Sequence, residues 1–555
     1  MNGWDTGQSK LQKFRHTTIT IGKQIDLVQD YTDTILCTMI KKKMSRPINE
    51  QFEDLGALNQ PRYSSLYQIN ARFLLEDTAK NLGIPVTLDE VPDDKIIRLK
   101  KLGFDWVYLL GVWQTGPSGL EVCRSTPDLR EELQRTLPDL KESDICGSCF
   151  AIQSYTVNSD FGGNAGLKKF RMRLNKLGLR LLVDFVPNHT ALDHPWSQER
   201  PELYVHGSES DLEHEPKNYV RVKSSGKSII LAHGRDPNYP GWSDTLQLNY
   251  GHPSLREEMI AELFKIAQLC DGVRCDMAML LLPEIFQQTW GILPEPFWPD
   301  AIAEIKQQYP DFVFMAEVYW GLEKELLQQG FDYTYDKKLY DLLCNKCAGL
   351  IRDYLNPDLH EQQKPVRFME NHDELRAAVA FPIRMHEAAA VLTYLSPGLR
   401  FFYQGQFEGR RRRLPVQLRR RPTEPIDFGL QDFYCKLLAC LRLPIVSSGF
   451  CQVLEPIPAW EDNCTWKGFI PLIWYGKDSQ KLLVVVNYAD NRGQCYLRFP
   501  SDDLSGQNIR LTDLMHEIRY DRSGDELIST GLYLDLPEWG YHVFKFSLKT
   551  LFSAS

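Results

Sequence analysis

Asp271-Gly-Val-Arg-Cys-Asp-Met-Ala278 is a short apolar stretch that ends on an acid, with an arginine two residues before it. In a strand, side chains two apart share a face, so Arg274 and Asp276 point one way and Cys275 the other. A guanidinium beside a carboxylate keeps it ionised, the state needed to attack an electrophilic carbon. Asp276 is therefore the candidate nucleophile. Taken alone, an arginine–aspartate pair closing a strand reads more readily as a structural ion pair. Its company changes that. Three more strand-like stretches end in polar clusters: Leu181-Leu-Val-Asp-Phe-Val-Pro-Asn-His189, Phe312-Val-Phe-Met-Ala-Glu-Val318 and Val366-Arg-Phe-Met-Glu-Asn-His-Asp373. They occur in order, at helix-length intervals.

Working outward, apolar strands are expected near 67–70, 104–110, 180–186, 272–276, 312–317, 331–333, 366–370 and 399–403. Helices are expected over 91–103, 253–269, 299–308, 322–329, 336–355 and 385–395. Apolar strands alternating with helices indicate a parallel sheet covered by helices. Eight such repeats predict an α/β fold, a (β/α)8 TIM barrel whose site forms at the carboxyl ends of its strands. The polar clusters sit at those ends. The connection 187–248, rich in Gly, Pro, Asn, His and Tyr, is long enough to be an irregular subdomain inserted after the third strand. A second insertion, 116–147, is charged and reads as surface. Beyond 445 the pattern becomes short alternating segments with Gly, Asp and Asn between them, the mark of a β-sandwich. The expected organisation is an N-terminal extension over 1–62, a barrel over 63–444 and a C-terminal β-sandwich over 445–555. Within the extension, apolar residues at three- and four-residue steps predict a helix over 23–43.

The chain has 555 residues, 43% hydrophobic and 25% charged, with a net charge of −9. That charge argues against nucleic acid or an anionic membrane as the partner and favours a neutral substrate. No apolar run reaches the ~18 residues of a membrane span, and Met1 to Lys13 lacks the apolar core of a secretory signal. A cytoplasmic protein is expected. Its thirteen cysteines, an odd number scattered along the chain, read as reduced thiols. The Cys146/Cys149 and Cys344/Cys347 pairs lie too far apart in sequence, and lack the turns, to suggest a zinc site.

Together the four stretches closely resemble the four signature regions of the α-amylase family of glycoside hydrolases and transglycosylases. The resemblance implies that Asp276 forms a glycosyl ester while Glu317 protonates the departing oxygen, the two carboxyls lying about 5–5.5 Å apart. Glu317 follows an apolar strand and Ala316, surroundings dry enough to raise its pKa as a general acid requires. The family pattern makes Asp373 the third acid, holding sugar hydroxyls beside the reacting carbon. It places Arg274, His189, His372 and Asn371 on the same sugar, and gives Asp184 and Asn188 a bracing role. Phe150 stands roughly where the family has an aromatic under the sugar ring. Tyr319 and Trp320, just past the acid, are suited to an acceptor platform.

The chain also departs from the family. Many starch-cleaving members carry a lysine and a calcium-associated histidine three and four residues after the nucleophile; here these are Met279 and Leu280. Calcium is thus not implied, no other cofactor or metal is expected, and the acceptor side differs from that of an endo-amylase. The leading expectation is an α-retaining glycosidase or glucanotransferase acting on an α-glucan or small α-glucoside through a covalent glycosyl-aspartate. One alternative, a glycosyl-phosphate-dependent transferase or phosphorylase, draws on the arginines at 410–413 and 419–421, whose forks suit phosphate. Another is a non-catalytic scaffold that kept the barrel.

Overall fold

The computed structural model describes residues 63–549 apart from 225, 357, 358, 500 and 501. The expected N-terminal extension and its helix over 23–43 lie outside the described residues. Eight parallel strands close into a barrel: β1 (Ser65–Asn70), β2 (Trp106–Leu110), β3 (Arg180–Phe185), β4 (Gly272–Cys275), β5 (Val313–Ala316), β6 (Tyr333–Tyr335), β7 (Pro365–Arg367) and β8 (Leu399–Tyr403). Each pairs with its sequence neighbour, and β1 closes on β8 with Ser65 opposite Arg400. Almost every residue of β2, β3, β4 and β8 is buried, because helices cover the outside while side chains fill the inside. Gly272 opens β4 for a steric reason. A Cβ there would lie 2.7 Å from the Val313 carbonyl and 3.1 Å from the Leu182 side chain.

Helices expected over 253–269, 299–308 and 385–395 form as Pro253–Ala267, Trp298–Gln308 and Ile383–Leu395. The single helix expected over 336–355 is instead two, Lys337–Cys344 and Ala348–Leu355. Between them Lys346 takes a left-handed φ of 57°, which no helix accommodates. The insertion at 116–147 is likewise more than surface. Its helices Pro117–Ser125 and Pro127–Thr136 bury Cys123, Leu133, Leu137 and Ile145 against Phe73, Leu414 and Leu418. After β3, His189–Ala191 pairs with Thr245–Gln247, and Tyr219–Ser224 pairs with Lys227–Ala232.

The C-terminal region has a six-stranded antiparallel sheet ordered β9-β11-β12-β17-β14-β15. Its strands are β9 (Phe450–Val453), β11 (Phe469–Tyr475), β12 (Lys481–Asn487), β14 (Asn508–Asp513), β15 (Arg519–Ser523) and β17 (Tyr541–Leu548). A three-stranded sheet of β10 (Pro456–Pro458), β13 (Gly493–Leu497) and β16 (Leu532–Leu536) faces it. Phe469, Ile473, Leu483 and Val485 of the first meet Cys495, Leu497, Leu532 and Leu534 of the second in one apolar core. Most aromatics of this region are core or seam residues. Trp474 is buried, donates its indole N–H to the Leu395 carbonyl at 2.8 Å and packs edge-on against Tyr63, tying the sheet to the barrel. At the same seam Tyr541 donates to Glu387 at 2.7 Å, beside a buried Asp513 that holds the imidazoles of His516 and His542 at 2.9 and 2.6 Å. Among the described residues these last three are the group placed to hold a cation. Their spacing is that of hydrogen bonds, and three backbone N–H groups already occupy the other Asp513 oxygen. Every cysteine among the described residues is a free thiol, and no described helix is long and apolar enough to cross a membrane.

Candidate active site

Parallel register brings the acids together. Cys275 lies opposite Phe185 on one side and Ala316 on the other, so Asp276 and Glu317 each stand one residue past a paired strand end. The Asp276 amide donates to the Phe185 carbonyl at 2.8 Å and the Glu317 amide to the Cys275 carbonyl at 3.1 Å, which keeps both on the strand lines. The chain then turns sharply. Met277 adopts a left-handed φ of 43°, a conformation that costs a bulky residue about 1–3 kcal/mol. The turn aims the Met277 N–H at Glu317 Oε2, 2.7 Å away.

Arg274, fully buried one pleat below, is the hub. One Nη donates to Asp276; the other lies 2.8 Å from Glu317 Oε2 and 3.9 Å from Asp373 Oδ2. Its guanidinium faces the rings of Phe150 and Tyr335 at 5.4 and 5.8 Å. The Asp276 and Glu317 carboxyls are almost sealed, at 9% and 4% exposure, whereas Asp373 is 47% exposed and forms the open side of the cluster.

Three carboxyls around one guanidinium cannot all ionise cheaply, and the surroundings decide which keeps its proton. Burial, then the neighbouring Asp276 and Asp373 charges, push Glu317 up to about 7 against the opposing pull of Arg274 and the Met277 N–H. Although its place in the cleft works the other way, His372 and Arg274 hold the Asp373 carboxyl below the usual range. Burial lowers His189, so its imidazole is neutral at pH 7.

The other expected residues converge from several strands. Phe150 stacks on His372 with ring centres 5.3 Å apart, and His189 packs against Trp242 at 5.0 Å. His372 Nε2 is 2.9 Å from Asp373 Oδ2 but off the axis of a good hydrogen bond. Asp184 is committed to the scaffold: its carboxylate accepts from the Tyr108 hydroxyl at 2.5 Å and the Gly111 amide at 2.7 Å. Asn188 bonds Gln247 at 3.2 Å. Asn371 accepts the Asp373 and Glu374 amides, both at 2.9 Å, so its oxygen shapes the loop that carries Asp373 and only its Nδ2 is left free to meet a ligand. Tyr319 turns its hydroxyl to Glu317 Oε1 at 3.0 Å, while Trp320 stands 46% exposed with a left-handed φ of 63°. Met279 and Leu280 are buried in the turn after Met277.

Sequence reasoning missed Gln68, whose amide donates to His372 Nδ1 at 3.1 Å, and the Tyr108 and Tyr335 contacts. The available signal was a glutamine inside the strand-like stretch 67–70, which the barrel buries fully and so obliges to find a partner. It also missed the buried Glu370–Arg376 pair at 2.8 Å, which braces the loop after β7.

Most of the arginines at 410–421 are engaged locally. Arg410 donates to the Glu424 carbonyl, Arg411 to that of Ala378 and Arg412 to that of Thr136. Arg420 forks onto Asp144 and Arg421 meets Asp77. Arg413 reaches the rim of the site, donating to the Asp373 carbonyl at 3.2 Å and pairing with Glu132.

Comparison with known proteins agrees with this geometry. The model of the α-amylase catalytic domain matches residues 93–413, more than half of the chain. An α-amylase, MalA, of Haloarcula japonica is 26% identical over 268 residues, 47% of this chain and 36% of that protein. An α-1,4-glucan:maltose-1-phosphate maltosyltransferase of Bifidobacterium longum is 25% identical over 243 residues, 42% of this chain and 26% of that one. The chain thus spans about a third or less of each of these relatives. Among solved structures, a noncanonic maltogenic α-amylase, AmyB, of Thermotoga neapolitana superposes with a TM-score of 0.62 at 17% identity, covering 88% of this chain and 99% of that one, which establishes the shared fold. With the barrel, the three acids around a buried arginine and the matched catalytic-domain model all in agreement, the chain belongs to the α-amylase family.

Proposed function

We propose that the chain is an α-retaining glycosidase or glucanotransferase that cleaves α-glucosidic bonds of an α-glucan or small α-glucoside. The observation that carries this is the single Arg274 guanidinium gripping Asp276 and Glu317 at two adjacent strand ends, with Asp373 at the opening. In the first step Glu317 gives its proton to the glycosidic oxygen while an Asp276 oxygen bonds the anomeric carbon and the C–O bond breaks. In the second, water or a sugar hydroxyl attacks that carbon, loses its proton to Glu317 and frees Asp276. Asp373 and the two histidines bind the hydroxyls of the reacting sugar, and Phe150 lies under its apolar face.

The arginines after β8 give a phosphorylated donor little support, because Arg410, Arg420 and Arg421 are committed to protein partners and the exposed ones are each tied to a carbonyl or carboxylate. The test is incubation with maltooligosaccharides, sucrose, trehalose and glucose-1-phosphate, following product size and anomeric configuration. An α-configured product, lost in D276N, is expected. Inverted product would remove the covalent glycosyl-aspartate, and silence on every substrate would remove the proposal and leave a scaffold.

A further inference from the structure

The two oxygens of Glu317 are not equivalent. Oε2 accepts the Met277 N–H at 2.7 Å and lies 2.8 Å from the charged Arg274 Nη2, with which it forms an ion pair. A carboxyl oxygen that already accepts a backbone N–H and faces a guanidinium has little basicity left for a proton. Oε1 meets only the Tyr319 hydroxyl at 3.0 Å. We infer that Glu317 Oε1 is the oxygen that carries the transferable proton, and that Tyr319 is the positioning residue that aims it. This rests on the reading of Glu317 as the acid of a retaining glycosidase, and it gives Tyr319 a different task from the acceptor platform its place in the sequence suggests.

A carboxyl oxygen has two lone-pair directions. One on Oε1 takes the Tyr319 O–H, which leaves the other for the acid's own hydrogen and fixes where that hydrogen points. When the glycosidic C–O bond breaks, its electron pair stays on the leaving oxygen, the proton passes to it from Oε1, and Glu317 becomes an anion. The Tyr319 hydrogen bond strengthens as that charge appears, so the phenol stabilises the transition state more than the ground state. Tyr319 itself is pushed well above the usual tyrosine range by burial and by the Glu317 and Asp373 charges, so it remains a neutral donor throughout. The other groups facing Glu317 are Arg274 and Asp276 from β4, Tyr335 from β6 and Asp373 after β7. Y319F leaves them all in place.

The experiment compares wild type with Y319F by two routes. One is the pH profile of kcat and KM on the best α-glucoside. The other is a 13C NMR titration of protein labelled at glutamate side-chain carboxyls, with the Glu317 signal identified by its loss in E317Q. Removing a donor to the carboxylate should raise the Glu317 titration by about one pH unit, move the alkaline limb of the profile with it and lower kcat roughly ten-fold with KM little changed. Replacing Tyr319 by 3-fluorotyrosine, a stronger donor, should move the titration down, and it serves equally if Y319F does not fold. A Glu317 titration unmoved, or moved in the opposite sense by either change, overturns the inference. A titration that shifts in a protein inactive on every glucoside would sustain the positioning contact and sink the glycosidase reading.

Discussion

E317Q should make the protein more stable, and only at the right pH. Glu317 is nearly sealed from solvent and is pushed from its ordinary value of 4.5 up to about 7, chiefly by burial. In the unfolded chain the carboxyl ionises near 4.5, whereas the native state holds its proton until about 7. The native state therefore binds more protons between those values, and its stability falls as pH rises through that window and levels off above it. At about 1.4 kcal/mol per pH unit, the full penalty is roughly 3 kcal/mol. Glutamine keeps the shape. Its carbonyl accepts from the Met277 N–H, its amide reaches the Tyr319 oxygen, and the side chain carries no charge to bury. Urea denaturation of wild type and E317Q at pH 5 and pH 8 measures the effect, and the advantage of E317Q should grow by about 2–3 kcal/mol between them while turnover collapses. An advantage that is the same at both pH values would refute the claim that this site strains one acid to keep it protonated.

D276N, which cannot form the glycosyl ester, should lose on the order of a thousand-fold or more in kcat while keeping its melting temperature within a few degrees; near-normal turnover would end the mechanism given above. The seam cluster should give a bell-shaped stability difference. The imidazoles of His516 and His542 and the Met515 N–H, outweighing its burial, depress Asp513, a contribution lost as pH falls toward that low value, and the Asp513 hydrogen bond raises His516, a contribution lost as pH rises above about 6.5. D513N should therefore be most destabilising between about pH 4 and 6.5, read by thermal melts across pH; a constant difference would contradict the assignment. W474A should cost about 3–5 kcal/mol in urea denaturation by emptying the joint between sheet and barrel, and W474F should recover part of it while leaving the Leu395 carbonyl unpaired. An effect of W474A below about 1 kcal/mol would mean that the joint is not cooperative with the barrel.

Much of this molecule is legible from its residues in order, for a local reason. A parallel strand buried on both faces is apolar for most of its length and gathers its polar side chains toward its end, so the stretches at 181–189, 271–278, 312–318 and 366–373 announce both the barrel and the end at which those side chains collect. Spacing of two puts Arg274 and Asp276 on one face without any knowledge of the fold. What the local pattern lacks is anything that crosses the barrel. Gln68 and His372 are 304 residues apart and meet only because β1 closes on β8. Tyr319 reads as an exposed aromatic platform until the turn at Met277 and the line of β5 bring its hydroxyl to Glu317. The break at Lys346 leaves the helical spacing on either side intact, so periodicity passes over it. Which acid keeps its proton was also decided by tertiary structure. Glu317 and Asp373 both follow barrel strands, and what gives Glu317 the proton is its near-complete burial beside two other carboxyls, while His372 and Arg274 hold Asp373 low.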